Sequence, residues 1–254
     1  MKRRAFTLIE LLVVIAITSL LIAILLPALS AARQSGQSAK CLATLKNVGV
    51  GLAAYFNTNE DRFPLSKVHG GYQAGTAWLD TLEPYAQTTL QYRCPADHAK
   101  NFDAANPGLR RVTSYGINIF MSPNPLDWTA SNPTGIPSWG YIKQTRLKDS
   151  SRWVYAAELA EVDRTGAPLS ADEFHADHWG TNPFTGYGGY DPQYDLSLRR
   201  HLRKENYLFA DSHAEHVAFD QLFHVSADGQ TLEIDRFDPG FPHSPQGWFQ
   251  PTGE

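Results

Sequence analysis

The first apolar run is the longest. From Phe6 to Leu29 the chain reads FTLIELLVVIAITSLLIAILLPAL, 24 residues with one charge, Glu10. About 20 apolar residues rising 1.5 Å each span a bilayer core, which predicts a transmembrane helix. A second pattern follows. Leu42, Leu45, Val48, Leu52, Tyr55 and Phe56 recur at steps of three or four and make one apolar helical face. The polar run Asn57–Asp61 ends it and Pro64 forbids resumption. The simplest reading is one helix from about Phe6 to about Asn57, roughly 78 Å long. Its first half would lie in lipid and its second half would pack on a sheet.

Beyond residue 64 the periods shorten. A short helix is predicted around Trp78–Tyr85, and strands at Arg111–Phe120 and Arg152–Glu158. Asn206–Asp211 and His213–Phe219 read as paired strands around a tight turn. Leu222–Ser226 and Gln230–Phe237 flank Asp228-Gly229, a favoured hairpin dipeptide. Residues 121–140 and 163–197 read as long loops, and 238–254 as a loose tail. The expected fold is α+β: a long helix packed on an antiparallel sheet with large insertions. In domain terms this gives a leader (1–5), a membrane helix (6–29), its amphipathic continuation (30–57), an exported domain (58–237) and the tail.

Charge adds direction. Lys2, Arg3 and Arg4 precede the apolar run with no acid among them, so the positive-inside rule keeps that end in the cytoplasm. The chain holds 22 basic and 26 acidic residues; three and one fall within residues 1–29, leaving 19 and 25 outside, a net −6. The mild overall charge of −4 does not suggest a nucleic-acid binder, and no nucleic-acid partner is expected. An ordinary secretory signal has a shorter core and a small-residue cleavage site after it. This segment has neither, and reads as an anchor.

Glu10 is the anomaly within it. A charge in a bilayer costs at least ~2.5–3.5 kcal/mol on insertion scales. Either Glu10 snorkels to the interface, or a cation pairs with it. The residues around it favour the second reading. Arg4-Ala5-Phe6-Thr7-Leu8-Ile9-Glu10-Leu11-Leu12-Val13-Val14 resembles the prepilin cleavage and methylation motif of type IV pilins and type II secretion pseudopilins. The resemblance implies cleavage by a membrane peptidase between Ala5 and Phe6, then N-methylation of Phe6. It also implies assembly with other pilin or pseudopilin subunits through Glu10 and the new Phe6 amine. Ala5 stands where the family usually has glycine. Pro27 sits where such helices often carry a proline. The implied location is the inner membrane, single-pass, with the C-terminal domain extracytoplasmic or at the cell surface.

Tyr92–Asp97, Ser114–Asn118 and the His201-x9-Asp211 pattern further resemble pseudopilin-like proteins with a C-terminal H-x9-D-G signature, with Ser212 in place of the glycine. His201 and Asp211 are expected to bracket a strand and tie its ends. The two cysteines, Cys41 and Cys94, would both lie outside the cytoplasm, where disulfides persist. A Cys41–Cys94 bond is expected, closing a loop worth about 4 kcal/mol in the chain-entropy account; two buried free thiols are the alternative.

Candidate chemistry is sparse. His175, Asp177 and His178, beside Asp172 and Glu173, form one cluster; His201, Asp211, His213 and His216 form another, with Asp211 and His213 on one strand face. Neither matches a zinc signature, and hydrogen bonding is the favoured role. Related pseudopilins often bind calcium in a C-terminal loop, and Asp191 and Asp195 are donors of the right hardness, without EF-hand spacing. No cofactor is otherwise expected. The tyrosines of Gly186–Tyr194 make a reasonable contact surface, although aromatics usually fill cores. No nucleophile elbow, P-loop or dinucleotide motif occurs, so no enzyme is expected. The reading is a pseudopilin-like structural subunit of a type II secretion or type IV pilus-like assembly. The alternative is a membrane-tethered binding or sensing module that forms no long filament.

Overall fold

The computed structural model describes residues 8–64, 77–106, 109–121, 143–163, 165–174, 176, 179, 192–198, 200–201, 204–218, 221–222, 224–225, 232–233 and 236–237. Helix α1 spans Leu8–Thr58 and continues through Pro27. It ends where Glu60 and Asp61 take left-handed backbone angles, φ 54° and 57°. The Asn59 side-chain amide donates to the Tyr55 carbonyl (2.9 Å), satisfying one of the last-turn acceptors. A short helix α2 (Trp78–Leu82) follows, extended by a 3-10 turn at Glu83–Tyr85.

Five strands form the main sheet: β1 (Tyr115–Asn118), β2 (Val154–Glu158), β3 (Glu173–Phe174), β4 (Lys204–Phe209) and β5 (Ala214–Ala218), in the order β3-β1-β2-β4-β5. β6 (His224–Val225) and β7 (Leu232–Glu233) pair as a separate antiparallel ribbon. The Asp228-Gly229 turn expected between them lies outside the described residues, as do the 121–140 loop from residue 122 onward and the 238–254 tail.

The sheet corrects one expectation. β3 runs parallel to β1, so the sheet is mixed rather than antiparallel. β3 is only two residues long and sits inside a segment read as loop. Two residues are too few for an alternation pattern to register.

Both faces of the sheet are covered. Leu45, Val48 and Leu52 of α1 pack with Trp78, Tyr115, Tyr155 and Leu208 on one face; Val154, Phe174, Trp179, Tyr207, Phe209 and Phe237 fill the other. Strand alternation sends Leu208 to the helix side and Tyr207 and Phe209 to the opposite side. β2 is irregular. Its register against β4 shifts between Val154 and Ala156, so Tyr155 and Ala156 both join the helix-side core. Such a bulge re-aims every side chain beyond it. Glu158 thereby points toward α1.

Candidate functional site

Two regions of α1 differ sharply. From Leu8 to Leu29 every Leu, Ile and Val side chain is 47–80% exposed. From Ser38 onward the same helix buries Ser38, Cys41, Thr44, Leu45, Val48, Gly49, Gly51, Leu52 and Phe56. Only the second half belongs to the domain core. The first half is long and apolar enough to cross a membrane. Its backbone is paired within the helix, and the Thr18 hydroxyl donates to the carbonyls of Val14 (2.9 Å) and Ile15 (3.1 Å), as a bilayer requires. Glu10 sits in the first turn of α1. Ala5 and Phe6 lie outside the described residues.

At the start of the buried half, close to the junction with the exposed half, Cys41 forms a disulfide with Cys94, the Cα atoms 5.6 Å apart. Both are fully buried. The bond fixes the segment after α2 to the helix, and Gln37 adds a hydrogen bond to the Pro95 carbonyl (3.1 Å).

Around this bond lies a buried polar network that the sequence did not announce. The His201 Nε2 is 2.9 Å from Glu158 Oε2 and 3.6 Å from Cys94 Sγ. The Asn206 amide donates to Glu158 Oε1 (3.0 Å), and Arg200 Nη1 pairs with Glu158 Oε2 (3.3 Å). Arg200 also reaches Asp97 (3.7 Å), which forms a 2.8 Å pair with the wholly buried Arg111. Burial pushes the Asp97 carboxyl up, but Arg111 and then Arg200 outweigh it and hold it below the usual range. Burial, followed by the charge of Glu158, pushes Glu205 up to about 9. The His216 Nδ1–H donates to Asn206 Oδ1 (2.9 Å), and the same nitrogen lies 3.4 Å from the Ser38 hydroxyl of α1; burial and then Lys204 pull its pKa down.

The expected residues are therefore split. His201 and Asp211 do bracket β4, but they join different networks. His201 faces Glu158 in the interior, while Asp211 bonds the His213 ring in the turn between β4 and β5. The expected tie between the two ends of the strand is absent, because an extended strand of six residues holds its ends apart. Asp211 and His213 also fall in the turn rather than on a strand face, since β4 stops at Phe209 and β5 starts at Ala214. His175, Asp177, His178 and Asp191 lie outside the described residues. Asp172 accepts from the Trp78 backbone (2.8 Å), and the Asp195 carboxylate accepts from the Trp179 indole (2.7 Å).

Chemically, the Glu158–His201 pair has the form of a carboxylate orienting an imidazole. Both side chains are 1% exposed or less, and the neighbouring sulfur is held in the disulfide. The arrangement cross-links α1, β2, β4 and the Cys94–Asp97 segment. No sequence motif marks Glu158, Arg111 or Arg200; the available hint was Arg111 within an otherwise strand-like run.

Comparison with known families adds one match. Residues 1–26 match the family described as the prokaryotic N-terminal methylation motif. No curated protein and no solved structure matches the chain. The N-terminal segment is thus prepilin-like, and the long apolar helix on a five-stranded mixed sheet gives an α+β pilin-like fold. The H-x9-D resemblance of the C-terminal part has no counterpart in these comparisons.

Proposed function

We propose that this protein is a pseudopilin-like structural subunit of a type II secretion or type IV pilus-like assembly, with no catalytic role of its own. The observation that carries the reading is the division of α1: an exposed apolar half bearing Glu10 in its first turn, continuous with a half built into the folded domain. A prepilin peptidase cuts between Ala5 and Phe6 and the new amine is methylated. The protein then sits in the cytoplasmic membrane with its domain outside, as the three basic residues at positions 2–4 favour.

In this reading the Phe6 amine of one subunit approaches Glu10 of an axially staggered neighbour. An ion pair within apolar surroundings lowers the cost of placing Glu10 there and fixes register. Packing alone fixes register poorly, because lipid is as apolar as the helix. Glu10→Val is expected to insert normally and to lower the yield of crosslinked oligomers in membranes at least tenfold at equal abundance. Glu10→Asp keeps the charge with a shorter reach and retains part of the yield. Equal yields for wild type and Glu10→Val would leave the tethered binding module as the better account.

A further inference from the structure

Cys41, Cys94, Glu158 and His201 each offer one donor atom, and the four atoms lie within 4.8 Å of one another. None of the four residues is more than 1% exposed. They come from four separate places: α1, the segment after α2, the end of β2 and the approach to β4. We propose that this quartet is a redox-gated metal centre. Oxidised, it is a disulfide cross-link; reduced, its two thiolates, the His201 imidazole and the Glu158 carboxylate hold one zinc ion.

The donor set is the first argument. Two sulfurs, one nitrogen and one oxygen suit tetrahedral zinc and not calcium or magnesium, which take oxygen ligands. Zinc–ligand bonds of about 2.0–2.3 Å place donors roughly 3–4 Å apart, within a small adjustment of the spacing here. The Cα separation of 5.6 Å lets the two sulfurs move apart by rotation about their Cα–Cβ bonds. Glu158 is already oriented by Asn206 (3.0 Å) and Arg200 (3.3 Å), the outer hydrogen bonds that metal ligands require.

Charge is the second argument. Asp97 and Glu158 are matched by Arg111 and Arg200 in the same buried network. A zinc ion with two thiolates is formally neutral, as is a disulfide, so exchanging one for the other preserves that balance. A monovalent ion would leave one buried negative charge uncompensated, a costly state.

The chemistry balances. A dithiol reductant delivers two electrons and two protons to the disulfide and leaves as its own disulfide, giving two thiols. Zinc then displaces both thiol protons to solvent. Either state ties α1 to the sheet and to the Cys94 segment, so the domain keeps a cross-link under both oxidising and reducing conditions.

The test uses the full chain in detergent, without a polyhistidine tag. The protein is unfolded, reduced with a phosphine, and refolded with and without zinc or cobalt. One metal ion per chain is expected. The cobalt form should show thiolate-to-cobalt charge-transfer absorption, and zinc should slow alkylation of both thiols at least tenfold. His201→Gln keeps both thiols and should weaken binding at least tenfold, while the oxidised protein should bind none. The proposal is overturned if reduced wild type refolds, by circular dichroism, without taking up metal. It is also overturned if the double variant Cys41→Ser/Cys94→Ser binds as well as wild type, or if zinc fails to support refolding of the reduced chain.

Discussion

Ser212 holds φ at 76°, in the left-handed region, between the two strands of the β4–β5 hairpin. Its N–H donates to the Phe209 carbonyl (2.9 Å), closing the turn. The residue stands where the resemblance led one to expect glycine, and the backbone keeps the conformation glycine adopts freely. That conformation costs an L-residue about 1–2 kcal/mol, while glycine loses some of the difference through its freer unfolded chain. Ser212→Gly is therefore expected to stabilise the domain by about 0.5–1 kcal/mol in chemical denaturation; a loss of stability would assign the hydroxyl an unrecognised contact. Glu205 gives a prediction with the opposite character. Its carboxyl is raised to about 9, far above an unfolded glutamate near 4.3. The folded state then binds the extra proton, so this group's contribution is complete below about pH 4.3 and is lost as pH rises toward 9. Glu205→Gln cannot ionise. Thermal melts of variant and wild type should diverge in the variant's favour between pH 5 and 9, and parallel melts would show that Glu205 is charged throughout.

Along α1 two glycines separate propensity from packing. A Cβ at Gly36 would meet nothing within 4 Å, whereas one at Gly49 would overlap the Ser212 carbonyl oxygen. Gly36→Ala should stabilise the helix by up to about 1 kcal/mol. Gly49→Ala gains the same propensity but forces α1 away from the hairpin turn, and overpacking of about 1–3 kcal/mol leaves it destabilised. Denaturation of the two variants side by side checks the sign of each. The helix itself was legible because its two apolar patterns are long and strong. β3 was not, because two residues within a long connection carry no period. The bulge in β2 was not either: the run RWVYAAE reads as a strand, but which neighbour shifts against it is set by β4, far along the chain.

Over the whole molecule, a membrane half and a folded half share one helix, and the junction falls near Ser38. Processing acts at the far end of the membrane half. The expected mature protein begins at Phe6, with its amine methylated, in cells with an active prepilin peptidase; mass spectrometry of the N-terminal peptide reads this directly. A chain beginning at Met1 in such cells would count against the assembly reading, because the Phe6 amine is the partner proposed for Glu10.

The sequence by itself determined the features that depend on local, repetitive physics. An apolar run of 24 residues with a single charge is long enough to span a bilayer, a three-to-four spacing makes a helical face, and the basic cluster before the run favours one orientation. Two cysteines, expected outside the cytoplasm from the basic residues before the apolar run, made the Cys41–Cys94 pairing readable as well. Only the tertiary structure decided which polar residues go inside. Asp97, Arg111, Glu158, Arg200 and His201 are ordinary charged or polar residues in sequence, and each alone would be placed on the surface. They are buried together because each supplies the counter-charge or hydrogen bond that another needs. Complementarity among residues up to 104 positions apart, from Asp97 to His201, leaves no periodic trace for a single sequence to show.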